Sequence, residues 1–171
     1  LAKRGAHVIA AARTVQKAQA ACDGVVGETT AVACELSEPA SVRDCAAEVA
    51  ALGRPLDAIV CNAGIMALPK LEQKHGYELQ FFTNHIGHFI LVTSLLDSLA
   101  DNGRVVVVSS AAHNGAPAEG IQFDNLSGEK GYSPWANYGQ SKLANLLFAN
   151  ELAKRLAGTG KTANSLHPGV I

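Results

Sequence analysis

A tyrosine and a lysine four residues apart could form a proton-transfer pair in this chain of 171 residues. The segment YGQSK runs from Tyr138 to Lys142 and lies in the first turn of a predicted helix that ends near Leu156. Residues four apart on a helix share a face, so both side chains would point the same way. A phenol is a poor base at neutral pH, and a nearby ammonium favours its ionised form. Two solvated surface residues have the same spacing more often, so the spacing alone does not show that the tyrosine and lysine form a proton-transfer pair.

Apolar runs that suit β-strands alternate with helix-like segments along the chain. Four runs are apolar almost throughout and a short fifth follows; in order they are AHVIAAA, TTAVACEL, LDAIVCNAG, GRVVVVSS and TANSLHPG. One intervening helix is marked by apolar residues at spacings of three and four from Leu79 to Leu96. Strands that are apolar throughout need cover on both faces, which helices supply. The sequence therefore predicts an α/β fold with an open parallel sheet.

Polar or small residues follow the predicted strands, at the places where the strands end. The residues concerned are Arg13, Glu35, Asn62, Ala63, Gly64, Ser109, Ser110, Pro168 and Gly169. In open parallel sheets, ligands bind beyond the carboxyl ends of the strands. Glycine and other small residues there let a flat ligand approach the backbone closely. One such coincidence means little, but its repetition after every strand predicts a binding site along this edge.

The composition argues against several classes of protein. With 48% hydrophobic and 17% charged residues, the chain is typical of a globular protein with a filled core. A formal net charge of −1 gives no electrostatic case for binding nucleic acid or an anionic membrane surface. No apolar run reaches the roughly 18 residues of a membrane span. The four cysteines follow no CxxC spacing, which predicts buried, reduced thiols in a cytoplasmic or other reducing compartment.

Five short motifs occur in an order that resembles the short-chain dehydrogenase/reductase family. They are CNAGIM, NHIGHF, VVVVSS, YGQSK and HPG, and the resemblance extends over essentially all 171 residues. A Tyr-x-x-x-Lys element alone is a weak signal, but the ordered set is strong. The segment around Tyr138 is similar to the retinol dehydrogenase-like branch, which includes WW-domain oxidoreductases and chloroplast translocon-associated reductases. The resemblance implies a Rossmann-like, doubly wound parallel sheet in three α/β/α layers, as a single domain over residues 1–171.

The resemblance also implies catalytic roles for Ser110, Tyr138, Lys142 and Asn84. Tyr138 would be the general acid/base, giving a proton to a carbonyl oxygen in reduction or taking one from an alcohol in oxidation. Lys142 would favour the phenolate and hold the nicotinamide ribose. Ser110 would hydrogen-bond to the substrate oxygen as charge develops on it. Asn84 would anchor a water that links the lysine to solvent.

For a nicotinamide cofactor, the resemblance implies contacts along the whole sheet edge. Glu35 and Leu36 would lie near the adenine, and Asn62, Ala63 and Gly64 would lie beside the adenosine half. Pro168, Gly169 and Val170 would lie beside the nicotinamide. Tyr138 and Lys142 would also contact the cofactor. Glu35 stands where the family has aspartate, which leaves its contact open. Arg13 suits a 2′-phosphate, whereas a carboxylate would suit a free ribose hydroxyl. The resemblance therefore implies NADP(H) rather than NAD(H), although Arg13 also fits a solvated loop cation.

The family's glycine-rich turn, whose backbone amides hold a pyrophosphate, has no counterpart in this sequence. No G-x-G-x-x-G occurs, and Leu1 falls near the end of the helix that would follow that turn. We therefore expect a fold that is incomplete at both ends, with a gap of about 10 Å between the strand before Arg13 and the strand before Asn62. On this expectation the 171 residues alone have poor stability and little turnover.

Functions from different classes remain open on the sequence. The first is an NADP(H)-dependent oxidoreductase that transfers hydride between nicotinamide and a small apolar alcohol or carbonyl, retinoid-like or steroid-like. The second is a non-catalytic nucleotide-binding scaffold or sensor, and a gene fragment without function is a third reading. A homodimer is also open, because family members often pair through the helices that contain Asn84 and Tyr138. No metal site is predicted, since His85 and His88 have no third ligand beside them.

Overall fold

A computed structural model describes residues 1–169 and follows the predicted alternation of strands and helices. The strands are β1 (Val8–Ala12), β2 (Thr29–Ala33), β3 (Leu56–Cys61), β4 (Gln73–Lys74), β5 (Tyr77–Glu78), β6 (Leu99–Val108) and β7 (Thr162–Leu166). The helices are α1 (Val15–Cys22), α2 (Pro39–Ala51), α3 (Leu79–Phe81), α4 (Gly87–Leu95) and α5 (Pro134–Arg155), with a π-helix, Phe82–Ile86, joining α3 to α4. Short 3₁₀-helices cover Ala2–Arg4, Leu96–Ser98 and Ala111–Gly115. Within residues 1–169, no helix has both the length and the apolar character needed to cross a membrane.

The five longer strands all pair in parallel, which confirms the predicted α/β fold, but the sheet is divided in two. Strand β1 pairs with β2, while β3, β6 and β7 pair in that order. Among the described residues, no strand pairing joins β1 to β3. The division lies where the sequence predicts a gap, between the strand before Arg13 and the strand before Asn62. A cavity of about 540 Å³ is lined by residues of both strands.

The hydrophobic core lies between the strands and helices α2, α4 and α5. Val32 of β2 and Val105 and Val107 of β6 are completely buried, and burying a valine in this way contributes roughly 1.5–3 kcal/mol. Val42 of α2 and Val92 of α4 are just as buried in the same cluster. The four cysteines are buried free thiols, as predicted. This packing holds the helices against the strands whose ends carry the polar residues.

Helix α5 begins at Pro134, a turn earlier than the predicted start near Tyr138. Pro134 occupies the first helical position, where its fixed φ suits the helix and its missing N–H costs no hydrogen bond. Tyr138 therefore lies in the second turn of the helix, and the prediction of the first turn is wrong. The additional turn also places Trp135 on the helix.

Two features around the long predicted helix were not expected from the sequence. The first is an antiparallel hairpin of β4 and β5, closed by His75 and Gly76 with φ of 51° and 80°. Two successive residues at positive φ form the tight turn that suits a two-residue hairpin. The second is the π-helix Phe82–Ile86, which interrupts the regular apolar stripe of the helix. It carries Asn84, so the interruption falls on a predicted site residue.

Candidate functional site

Two cavities meet at one segment near the carboxyl ends of the strands, and the first also extends back between β1 and β3; together we call them the strand-end cleft. The first, of about 540 Å³, is lined by Arg13, Glu35, Leu36 and Ala63 among others. The second, of about 550 Å³, is lined by Ser110, Tyr138, Lys142, Pro168 and Gly169 among others. Asn62, Gly64 and Ile65 line both cavities. The cleft therefore brings together the predicted site residues except Asn84, which is completely buried, and Val170, which lies outside the described residues.

Lys142 is anchored between helix α5 and the end of β6. Its Nζ donates a hydrogen bond to the Val108 carbonyl at 3.0 Å and lies 5.7 Å from the centroid of the Tyr138 ring. Its backbone carbonyl accepts a hydrogen bond from Ser109 Oγ at 2.7 Å. The residue is only 4% exposed, and burial lowers the pKa of Lys142 below the ordinary lysine value. A cation is thus held beside the tyrosine by contacts to its side chain and its backbone.

Asn84 joins separate parts of the site from within the π-helix. Its Oδ1 accepts a hydrogen bond from Ile65 N at 2.8 Å, and its Nδ2 donates to Ile65 O and to Ser141 Oγ, both at 2.9 Å. Ser141 Oγ in turn donates to the Tyr138 carbonyl at 2.7 Å. Single π turns occur frequently at functional sites. The amide therefore holds the segment after β3 against helix α5, while the water that it would anchor stays a prediction.

Two glycines allow close backbone approach around the tyrosine and the lysine. A Cβ on Gly139 would lie 2.5 Å from the Ala112 carbonyl oxygen, so helix α5 packs directly on the turn that follows β6. A Cβ on Gly64 would lie 2.9 Å from Asn84 Oδ1 and 3.6 Å from Lys142 Nζ. Glycine at each position lets the backbone come closer than a side chain would permit. A side chain at either position would push the surrounding groups apart.

Ser110 caps the 3₁₀-helix Ala111–Gly115 just after β6. Its Oγ accepts a hydrogen bond from Ala112 N at 3.2 Å. A hydroxyl group has one proton to donate in addition to its acceptor sites, so the Ser110 proton is still available for donation. Ser110 and Tyr138 line the same cavity. These two hydroxyl groups could therefore bind a single substrate oxygen and stabilise charge that develops on it.

The two charged residues of the first cavity have different surroundings. Arg13 is exposed and has no ion-pair partner among residues 1–169. Glu35 uses Oε1 to accept hydrogen bonds from Ser37 N at 3.1 Å and from Ser37 Oγ at 3.0 Å. Short polar side chains and backbone amides two residues apart commonly bond in this local way. Arg13 is therefore available for an anion, whereas Glu35 is engaged in its own loop and its adenine contact stays a prediction.

Several residues that line the cleft have no place in the sequence prediction. His88, in the first cavity, is 3% exposed and donates through Nδ1 to the Asn84 carbonyl at 2.9 Å. Burial lowers the pKa of His88, which favours its neutral form. Met66 and Trp135, in the second cavity, are 58% and 60% exposed. Trp135 and Tyr138 are three residues apart, a spacing that places two side chains on the same face of a helix. With the helix start recognised at Pro134, this spacing would have predicted that Trp135 lies beside Tyr138 in the site.

The parallel sheet and the strand-end cleft are those of a Rossmann-type α/β protein. Within that class, the family model described as short chain dehydrogenase matches residues 1–171. The chain belongs to the short-chain dehydrogenase family, and its relatives place it in the retinol dehydrogenase-like branch.

Similar proteins match the chain over nearly all of its length. Human retinol dehydrogenase 13 is 40% identical over 99% of this chain and 53% of its own length. Mouse retinol dehydrogenase 12 is 42% identical, covering 100% of this chain and 55% of that protein. A probable oxidoreductase from Streptomyces antibioticus is 44% identical, covering 100% of this chain and 58% of that protein. The chain therefore spans about half the length of these relatives.

Solved structures share the fold. An uncharacterized protein from Mycobacterium paratuberculosis superposes with a TM-score of 0.88 at 42% identity, over 99% of this chain and 61% of that one. RhlG from Pseudomonas aeruginosa, solved as an NADP active-site complex, superposes with a TM-score of 0.75 at 27% identity, over 100% of this chain and 64% of that one. The Rossmann-type architecture predicted from the sequence is thereby confirmed.

Replacing Lys142 by methionine tests whether the buried charge costs stability. The Val108 carbonyl keeps a second donor, Asn145 Nδ2 at 3.2 Å, so Lys142→Met leaves it paired. The pKa of Lys142 is lowered in the folded protein, so between that lowered value and the ordinary 10.5 the unfolded chain binds more protons. Wild-type stability therefore rises with pH across this window. We expect Lys142→Met to be the more stable protein near neutral pH, with an advantage that shrinks as the pH approaches 10.5.

Urea unfolding of the full-length protein at a series of pH values measures this difference in the free energy of unfolding. Lys154→Met is the matched control, because the Lys154 side chain is 79% exposed. Its difference from wild type should not vary with pH. A Lys142→Met difference that is equally constant across the series would contradict the assignment of a buried, costly ammonium.

Proposed function

We propose that the protein is an NADP(H)-dependent oxidoreductase that transfers hydride between nicotinamide and an apolar alcohol or carbonyl compound. The observation that carries this proposal is the strand-end cleft. One end of the cleft has an exposed cation, Arg13, and the other has Ser110, Tyr138 and Lys142. NADP(H) is an elongated ligand with a charged 2′-phosphate at its adenosine end and the reactive nicotinamide at its other end. The distribution of charge and hydroxyl groups along the cleft matches those two ends.

The described residues fit the two ends of the cofactor in this orientation, whereas the glycine-rich turn that would hold its pyrophosphate has no counterpart in the sequence. Arg13 would bind the 2′-phosphate, since a guanidinium suits phosphate geometry. Lys142 would hold the nicotinamide ribose at the other end. Gly64 lines both cavities, and a Cβ there would contact Asn84 and approach Lys142, so glycine keeps the junction of the cavities open. When bound, the cofactor supplies or accepts the hydride.

The chain's own groups would then handle the proton. In the reduction direction, Tyr138 gives its phenolic proton to the substrate oxygen, and in the oxidation direction it takes the proton from the alcohol. The Lys142 cation stabilises the phenolate that donation leaves behind. Ser110 donates its remaining hydroxyl proton in a hydrogen bond to the same oxygen, which stabilises negative charge in the transition state. Asn84 acts through Ser141 and Ile65, which it bonds, to keep helix α5 in place.

The relatives support both parts of the proposal. Those named retinol dehydrogenases support a retinoid-like apolar alcohol or carbonyl as the substrate, within the proposed class that also includes steroid-like compounds. The NADP complex of RhlG supports a nicotinamide dinucleotide with a 2′-phosphate. A non-catalytic scaffold is not favoured, because a scaffold has no need of serine, tyrosine and lysine side chains gathered in one cavity.

Replacing Tyr138 by phenylalanine tests the chemistry separately from binding. The variant keeps the ring beside Trp135 and Lys142 and loses only the hydroxyl group. We expect turnover of the full-length protein to fall by about 10²–10⁴-fold, the usual contribution of general acid–base catalysis. Calorimetric titration should show nearly unchanged NADPH affinity, because the hydroxyl is a small part of the contact.

Tyr77→Phe is the matched control, since Tyr77 lies in the β4–β5 hairpin outside both cavities, and its activity should equal that of wild type. Retention of full activity by Tyr138→Phe would exclude the proposed acid/base role. Loss of NADPH binding in that variant would show instead that the substitution disturbs the cleft.

Replacing Arg13 by leucine tests the choice of cofactor. A hydrogen bond to a charged group is worth about 1.5–3 kcal/mol, so we expect kcat/KM for NADPH to fall by roughly 10- to 150-fold. The value for NADH should change by less than about threefold, since NADH has no 2′-phosphate. Arg155→Leu is the control, because Arg155 pairs with Glu151 on the exposed end of α5 and should affect neither cofactor. Equal losses with both cofactors in Arg13→Leu would contradict recognition of the 2′-phosphate.

A further inference from the structure

We propose that Trp135 determines substrate specificity, by selecting compounds that carry a flat aromatic or conjugated group next to the reacting carbon. The effect of Trp135 on turnover rests on the proposed oxidoreductase function. The binding of a flat group to the Trp135 side chain does not depend on that function. Three observations support this role: the exposure of the side chain, its position relative to Tyr138, and the apolar residue that shares its cavity.

Trp135 presents uncovered apolar surface directly beside the proposed acid/base. Its indole ring lies 6.1 Å from the Tyr138 ring, centroid to centroid, at an interplanar angle of 82°. This edge-to-face contact uses only part of the indole, and the residue is 60% exposed. Pro134 at the first position of α5 fixes the backbone from which the side chain projects. A rigid apolar surface is therefore held at a defined place next to the phenol.

Met66 provides a second exposed apolar side chain in the same cavity. It comes from the segment after β3, whereas Trp135 comes from α5, and it is 58% exposed. Single exposed apolar residues are ordinary on a protein surface, but two large ones that line one cavity indicate a ligand surface. Methionine is flexible and its sulfur contacts aromatic rings favourably. The cavity, of about 550 Å³, is within the range that holds a small organic ligand.

The position of the reacting oxygen decides which part of a substrate meets the indole. Tyr138 and Ser110 would both bind that oxygen, so the group attached to the reacting carbon must lie close to them. Trp135 borders Tyr138 and would therefore contact that group. Two aromatic groups gain about 0.5–1.5 kcal/mol beyond the area they bury, whereas a saturated ring of equal size gains only the area term. The expected discrimination is thus about threefold to tenfold in favour of the flat ring.

A structural role for Trp135 makes a different prediction. If Trp135 mainly supported the fold, its removal would lower the thermal midpoint. The side chain is 60% exposed and contributes little to the core, so we expect the thermal midpoint of the variant to stay nearly unchanged. If Trp135 served mainly to support Tyr138, removing it would lower turnover of every substrate by the same factor. Selective loss for flat substrates is expected only if the indole contacts them.

The test uses two ketones with the same carbon skeleton, 1-phenylethanone, whose ring is flat and conjugated with the carbonyl, and 1-cyclohexylethanone, whose ring is saturated; each is compared with itself between wild type and variant, which cancels their different intrinsic reactivity. Both ketones lose the area term in Trp135→Ala, so in the full-length protein with NADPH we expect the ratio of kcat/KM for the phenyl ketone to that for the cyclohexyl ketone to fall by about threefold to tenfold. Trp135→Phe should restore most of the preference. Phe123→Ala is the control, because Phe123 is 80% exposed, lies outside both cavities and should leave the preference unchanged.

A binding measurement keeps this inference separate from the proposed function. Trp135 is the only tryptophan of the chain, so its indole N–H can be identified in an NMR spectrum by its loss in Trp135→Phe. Titration with 1-phenylethanone should shift that signal in a saturable way, with a smaller shift for the cyclohexyl ketone at equal concentration. A shift without any turnover would refute the oxidoreductase proposal but support the inference about Trp135. An unmoved signal, or an equal loss of both ketones in Trp135→Ala, would overturn the inference even if the enzyme is active.

Discussion

The hydrogen bond from the Lys142 ammonium to the Val108 carbonyl is the contact on which the rest of the site depends. It joins helix α5 to the carboxyl end of the central strand β6, at the edge where the parallel strands direct their polar residues. The same bond places the cation beside the Tyr138 ring. Two further hydrogen bonds reinforce the junction: Ser109 Oγ donates to the Lys142 carbonyl, and Asn145 Nδ2 donates to the Val108 carbonyl. If this junction opened, the proposed acid/base would separate from the cation that stabilises its ionised form.

The junction requires close approach on two sides, and the sequence provides it with glycine. Gly139 lets the helix rest on the turn after β6, and Gly64 lets the segment after β3 pass Asn84 and Lys142. The π-helix serves the same purpose from a third side, because it carries Asn84 into contact with Ile65 and Ser141. The arrangement costs stability, since an ammonium is buried and its pKa is lowered. Such a cost is typical of sites where function, and not packing, decides the residue.

Much of this fold follows from the sequence because its signals are local. Long apolar runs such as GRVVVVSS predicted the strands. Because ligands bind at the carboxyl ends of parallel strands, the positions of Arg13, Ser110 and the glycines after those strands predicted that they lie along one edge of the sheet. Other features depend on contacts that no local pattern encodes. The engagement of Glu35 by Ser37 results from one of several local bonds that the carboxylate could make. The π-helix depends on the partners of Asn84, which come from distant segments. The hairpin turn at His75 has the unusual positive φ of a non-glycine residue.

The most direct test of the proposed cofactor site is a crystal structure of the full-length protein with NADP⁺. We expect one dinucleotide along the strand-end cleft, with its 2′-phosphate bound by Arg13, its backbone passing Gly64, and its nicotinamide ring beside Tyr138 and Lys142. A cofactor bound in the reverse orientation, or outside the cleft, would contradict the central claim. The buried lysine and the glycines around it would then have no role in holding a cofactor.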